Sequence, residues 1–295
     1  MKLTPHISIA AGVLAATAVS AAPAPAAVVR MTPDGQPHRL VQPLAVAAKA
    51  KRLPAVSFGG ASSQDEPIVM KLAKGRRKAT ISVSYDQSCG SGDSGFDWSD
   101  VPAVTISKKG AFKKSGVRAM KFDDGWSLVE TYRVKGTVGK ASAKGTFAVA
   151  DTWTDPQGQL DSACNSGPVR FSVRDAGILA GTTSDGAPMI MAVSPGLDRV
   201  NSAMIPWTAK CNSGNWLWGS ANLTGPIATG GVFVGTLSRT IDVGSDQQAR
   251  EVQTIGGTVT KKRALGAWEV TATVVDSAGA NIDACDSGRL TFKLV

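Results

Sequence analysis

Histidine, the commonest general base and metal ligand, is nearly absent from this chain: His6 and His38 are its two copies. Both lie ahead of residue 57, where regular patterning begins, so a Ser-His-Asp or Cys-His arrangement inside the patterned region is excluded and a His-ligated zinc or copper site nearly so. Four cysteines, Cys89, Cys164, Cys211 and Cys285, remain as possible nucleophiles or bridges. Carboxylates are the other reactive groups. Asp93, Asp97 and Asp100 follow Cys89 closely and offer oxygen ligands of the kind Ca²⁺ takes, but their spacing is not that of an EF-hand. The stretch after Cys211, from Asn212 to Asn222, has no acid, so the first segment reads as a solvated loop and no metal or other cofactor is expected. Asp155 and Asp276 stand in turn sequences, Asp-Pro-Gln-Gly and Asp-Ser-Ala-Gly, where an aspartate caps its own backbone. Asp161 and Asp283 lie near the second cysteines but out of register by one. A carboxylate pair of the glycosidase type has no motif behind it.

Two aromatic pairs follow the early cysteines: Phe96 with Trp98, and Trp216 with Trp218. On a strand, residues two apart share a face, so an exposed pair makes a stacking platform and a buried pair is core. Because both pairs recur, a structural role is favoured, and Trp216 and Trp218 are the candidate ligand surface. Candidate anion-binding residues are the basic runs Arg76, Arg77 and Lys78, and Lys113 and Lys114.

These residues sit in a chain that repeats itself. Gly136-Thr137-Val138 matches Gly257-Thr258-Val259 at an offset of 121 (257 − 136). At the same offset Lys140, Ala143, Gly145, Val149, Thr152, Asp155, Gly158, Ala163, Cys164, Ser166, Gly167 and Phe171 find identical partners up to Phe292. Gly60, Ser63, Pro67 and Met70 match Gly181, Ser184, Pro188 and Met191, whereas Cys89 and Cys211 are 122 apart, one residue more. Two copies of one unit follow, over 57–176 and 177–295. Each holds one early and one late cysteine, so equal units close equal bridges: Cys89 with Cys164 and Cys211 with Cys285.

Apolar residues alternate with polar ones in Val169, Phe171 and Val173 and in Leu290, Phe292 and Leu294, the pattern of antiparallel strands covering a core. No stretch sustains helical spacing. The expectation is an all-β chain of two tandem antiparallel β-sandwich or small-barrel domains of similar fold, with seven or eight strands each. The pattern Gly-x-Ser/Thr-Ser, Pro-Ile/Met-Val/Ile-Met, then Cys, then Gly-Thr-Val-x-Lys, then Ala-Cys-Asn/Asp-Ser-Gly resembles an uncharacterised secreted β-sandwich repeat module of high-GC Gram-positive bacteria. The resemblance covers nearly all of both units. It implies export and an all-β fold and assigns no catalytic residue.

Residues 1–26 read as a secretory signal peptide: Lys2, an apolar run from Ile7 to Val19, then small residues with a cleavage site after Ala26, or alternatively after Ala21. The run is too short to span a bilayer, and no transmembrane segment is expected. Residues 27–56, with Pro33, Pro37, Pro43 and Pro54, read as an extended arm. Export places the cysteines in an oxidising compartment, which favours bridges over thiols.

The net charge of +9 is unevenly spread. The arm and the first unit carry the excess of lysine and arginine, and the second unit is balanced. For a secreted protein the matching partner is an envelope polymer, a glycan or another anionic extracellular component; no specific nucleic acid is expected. The reading is a secreted, extracellular, non-enzymatic binding protein. Its competitors are an envelope spacer without specific ligand and, third, a carboxylate-based glycoside hydrolase.

Overall fold

The structure is a computed structural model and describes residues 7–11, 27–29, 56–90, 94–122, 125–175, 177–244 and 247–295. Of residues 1–56, where a signal peptide and an arm were expected, it describes the short strands β1 (Ile7–Ala11) and β2 (Ala27–Val29) and Val56, which opens β3; the rest lies outside the described residues. β1 pairs with β2 and with the edge of the second unit.

Unit one comprises β3 (Val56–Ala61), β4 (Pro67–Leu72), β5 (Lys78–Cys89), β6 (Ser94–Thr105), β7 (Ala111–Lys121), β8 (Ser127–Val138), β9 (Ser142–Thr154), β10 (Leu160–Asn165) and β11 (Val169–Arg174). Unit two repeats them as β12 (Ile178–Thr183), β13 (Pro188–Val193), β14 (Arg199–Cys211), β15 (Trp216–Pro226), β16 (Val232–Gly244), β17 (Gln247–Thr260), β18 (Arg263–Val275), β19 (Asn281–Asp286) and β20 (Leu290–Leu294). A single 3₁₀ turn, Lys74–Arg76, joins β4 to β5. Nine strands stand where seven or eight were expected, because the last strand is broken in two. β10 and β11 both pair with β9, on its second and first halves, around a break at Ser166, Gly167 and Pro168.

The sheets close, so of the two expected forms it is the barrel that is built. In unit one the order β10-β5-β4-β3-β11-β9 returns on itself through β9–β10, and in unit two β19 joins β14 to β18 in the same way. β6, β7 and β8 complete the wall on the other side. The seam between β6 and β7 carries the single bridge Ile106↔Phe112, copied as Ile227↔Phe233. Closure removes most open edges and confines the apolar faces to the inside.

The extra residue between Cys89 and Cys211 is a bulge that has changed strands. In unit one, Ala79 pairs Val104 and Ile81 pairs Val101, so β6 carries the surplus residue. In unit two, Val200 pairs Gly225 and Ala203 pairs Leu223, so β14 carries it instead. A bulge on either strand bends the ladder alike, and the offset of 121 returns beyond it.

The core of barrel one is Phe58, Ile68, Met70, Leu72, Ile81, Val83, Val101, Phe112, Phe147 and Val173, among others; barrel two packs Met189, Met191, Ile205, Trp207, Ile255, Trp268 and Phe292. Each such side chain contributes roughly 1.5–3 kcal/mol by leaving water. The bridges Cys89–Cys164 and Cys211–Cys285 are formed as the repeat requires, across directly opposed residues of β5/β10 and β14/β19. Among the described residues no helix is long and apolar enough to cross a membrane.

The barrels meet along β3 and β4 of the first and β12 and β13 of the second. Val69, Ala180 and Ile190 form the centre of that contact, with Ile178 and Met204 beside them. Gly59 is required there: a Cβ would stand 2.7 Å from Ile178 Cγ2. Ser220 donates its hydroxyl to Glu66 across the contact, 2.8 Å. Glu66 is buried, and burial, with Asp86 nearby, pushes its pKa up to about 8.

Candidate functional site

The basic runs, separate in sequence, converge on one end of barrel one. The turns β4–β5, β6–β7 and β8–β9 all open at that end, because alternate connections of an up-and-down wall share an end. Backbone hydrogen bonds tie them: Ile106 N–H to Arg77 O, 2.9 Å, and Val138 N–H to Gly110 O, 2.9 Å. Arg76 reaches across to the carbonyl of Lys140 and lies 5.9 Å from the Phe58 ring. Lys74, Arg77, Lys78, Lys108, Lys109 and Lys140 are exposed around it, and residues 73–78, 106–110 and 139–141 include no acid.

The patch continues up the outer face of β7, β8, β9 and β11. Lys113 sits directly opposite Lys135, and Arg133, Lys144, Arg170 and Arg174 share the same face, all exposed. Like charges directly opposed cost a sheet a fraction of a kcal/mol, roughly 0.2–1, so folding stability does not account for them. Lys114 points inward and donates across the β6/β7 seam to the Pro102 carbonyl, so it belongs to the wall rather than to the patch. The acid nearest in sequence is Asp175, whose N–H meets Ala141 O, 3.2 Å. The same end of barrel two is far less basic: the equivalent residues 194–199, 227–231 and 260–262 contribute Arg199, Lys261 and Lys262 against Asp198, net +2 (3 − 1), where barrel one carries seven basic residues and no acid. Its outer wall shows Val232, Val234, Val252 and Leu265.

Trp216 and Trp218 are both half-buried. Trp218 packs with Phe96, Trp98 and Ala187 between the barrels. Lys210 lies 5.9 Å from the Trp216 ring. The Asp-rich segment departs from the solvated loop expected of it. From Ser94 it is strand β6, with Phe96 and Trp98 turned out against unit two and the Asp97 side chain turned inward; Asp93 lies outside the described residues. Aromatics that find a second apolar surface no longer need the barrel interior, and the alternation then delivers the carboxylate there. Asp155 and Asp276 do cap their own turns: Asp155 Oδ1 accepts from Gln157 and Gln159 N–H at 3.0 and 2.7 Å, and Asp276 Oδ1 from Ala278 and Ala280 N–H at 2.9 Å each.

Asp97 joins a polar cluster in the half of barrel one away from the basic turns, near the disulfide. Glu130 (β8), Asp151 (β9), Gln87 and Tyr85 (β5), Ser99 (β6) and Arg118 (β7) point to the same space. Ser99 Oγ donates to Glu130 Oε1, 3.1 Å, and Arg118 Nε stands 3.6 Å from the same oxygen, its guanidinium 5.1 Å from the Tyr132 ring. Asp97 Oδ1 accepts the Trp98 N–H, 2.7 Å. Burial raises all three carboxylic acids: Asp151 to about 7, with Glu130 adding to the rise and the Gln87 amide opposing it, Asp97 well above its ordinary value, and Glu130 upward against the pull of Arg118.

The Arg–Glu pair recurs in barrel two as Arg239–Glu251, at 2.9 Å, and there the arginine also donates to Ser220 O across the seam, 2.9 Å. Sequence reasoning missed both pairs. The repeat itself held the signal, since Arg118/Arg239 and Glu130/Glu251 are identities at the offset of 121.

No family model and no curated protein matches the chain. Among solved structures it is similar to a protein of unknown function of the DUF3598 family from Nostoc punctiforme, at 10% identity and a TM-score of 0.14, over 81% of this chain and 94% of that one.

Proposed function

We propose that this is a secreted, non-enzymatic binding protein that holds an anionic polymer of the cell envelope on the basic end and adjoining wall of barrel one. The observation that carries the reading is the convergence of three acid-free turns with seven basic residues and a lysine- and arginine-bearing wall on one barrel, against a net charge of +2 (3 − 1) at the equivalent end of its copy. The charges are spread over a convex surface rather than gathered round a cavity. That geometry suits a chain of repeating negative charge, met at many points, better than a single small anion. Two disulfides and the leader-like N-terminal pattern support an extracellular location.

The test is elution from immobilised polyphosphate in rising salt. The variant Arg77→Ala/Lys108→Ala/Lys109→Ala is expected to elute at clearly lower salt than the unaltered protein, and Lys261→Ala/Lys262→Ala at nearly the same salt. Co-elution of the first variant with the unaltered protein would sink the reading.

A further inference from the structure

We propose that the polar half of the barrel-one interior is a binding site for a small organic cation carrying a primary ammonium group. Tyr85, Gln87, Glu130 and Asp151 are each more than nine-tenths buried. Yet Tyr85 Oη, Gln87 Oε1, Glu130 Oε2 and both Asp151 oxygens complete no hydrogen bond. Buried polar atoms are ordinarily satisfied, and each one left unmatched costs stability. Here several unmatched atoms belong to one buried cluster, and nearly all of them are acceptors. What would satisfy them is a group rich in N–H donors.

Charge points the same way. Asp97, Glu130 and Asp151 meet one guanidinium, Arg118, and burial raises all three acids. A bound cation would offset the excess and draw those acids back toward ionisation. Size separates an organic cation from a metal. Among the described residues, the acids and cysteines close enough to share one ion are Cys211, Asp283 and Cys285, two of which form a disulfide. The barrel-one acids are not such a group, so their ligand must span them.

The copy keeps the barrel and the arginine–glutamate pair but lacks these polar groups. Tyr85, Gln87, Asp97 and Asp151 correspond to Trp207, Ala209, Gly219 and Ala272, at offsets of 122 before the bulge is compensated and 121 after it. Trp207 is fully buried and packs over Gly219, where a Cβ would stand 3.3 Å from the indole. One large side chain and three small ones replace two acids, an amide and a phenol. The seam between β6 and β7, bridged at Ile106↔Phe112, differs from its copy too. In barrel two Arg239 ties that seam to Ser220 O, whereas Arg118, partly exposed, turns to Glu130 and Tyr132, and its Nη2 is without a partner.

The test is isothermal titration of the full chain with putrescine, agmatine and phenethylamine, with glutarate as the anionic control. The expected result is saturable one-to-one binding of at least one amine and none of glutarate. Asp151→Asn should weaken that binding by about 30-fold or more, the equivalent of losing a buried charge contact of about 2 kcal/mol. It should also raise the melting temperature, which separates a lost site from a lost fold. Tyr85→Phe, which removes only the hydroxyl, should weaken binding less, and the exposed Glu269→Gln not at all. No binding by any of the three amines would overturn the proposal, as would binding that survives both Asp151→Asn and Glu130→Gln. The site lies at the opposite end of the barrel from the basic turns, so amine binding and polymer retention are measured, and can fail, separately.

Discussion

Where barrel one has Tyr85, Asp97 and Asp151, barrel two has Trp207, Gly219 and Ala272, on equivalent strands and with the same arginine–glutamate pair beside them. The two interiors therefore differ by side chains alone. At these positions barrel two packs an indole against small residues, which contributes stability directly, although Trp207 Nε1 and the Gln253 amide are also buried without partners. Barrel one keeps buried acids and unmatched acceptors in the same place, which lowers its stability. The outer surfaces differ in charge balance: lysines and arginines outnumber acids in the first unit and equal them in the second. One unit holds a cluster of buried acids and the other a buried indole at the same place, and a scaffold closed by its own disulfide tolerates both.

The largest test of this contrast is at the equivalent pair Trp207 and Tyr85. Trp207→Ala should cost about 3–5 kcal/mol of stability in urea unfolding, because it empties a filled core. Tyr85→Phe should cost nothing or stabilise slightly, since the hydroxyl it removes is buried and unmatched. A comparable loss at both positions would mean that the two interiors serve the same end.

Next in size is the shared ion pair. Arg239→Ala strands a fully buried Glu251 and removes the tie to Ser220 O, and should cost about 3–5 kcal/mol. Arg118→Ala acts on a longer, partly solvated contact and should cost clearly less. Equal costs would show that the barrel-one seam is held as firmly as its copy.

The remaining test is a pH dependence centred on unit one. Burial raises Glu66 from 4.5 to about 8, and Asp86 and Asp151 from 3.8 to about 7. In each case the folded form holds a proton that the unfolded chain has released. Their stabilisation is therefore complete below about pH 4 and is lost as pH rises through 7 to 8. Thermal melting should occur at a higher temperature at pH 5 than at pH 8, and Glu66→Gln should reduce the difference. A melting temperature that rises from pH 5 to pH 8 would contradict the assignment.

Much of the scaffold was legible in the residues. The offset of 121 set the two units and both cysteine pairings, and the alternation in Val169–Arg174 and Leu290–Leu294 showed which residues face inward. The buried acid cluster of barrel one was not legible, and β6 shows why. Its alternation was visible, but a period of two says only that Phe96 and Trp98 share one face and Asp97 and Ser99 the other. Which face turns inward depended on whether the aromatics had somewhere else to go, and unit two supplied that place. The basic end escaped for a related reason. Lys74–Lys78, Lys108–Lys109 and Lys140 are more than 60 residues apart from first to last (140 − 74 = 66), and only the up-and-down wall returns them to one rim.

The sequence by itself determined the repeat, the strand periodicity, the disulfide partners and the near absence of histidine chemistry, because each is carried by residue identity or by short-range spacing. Only the tertiary structure decided that the sheets close into barrels, that three carboxylates turn inward in one copy, and that scattered lysines form one surface. Those outcomes depend on which strand meets which across long stretches of chain, and on where a second apolar surface lies, and local spacing holds neither.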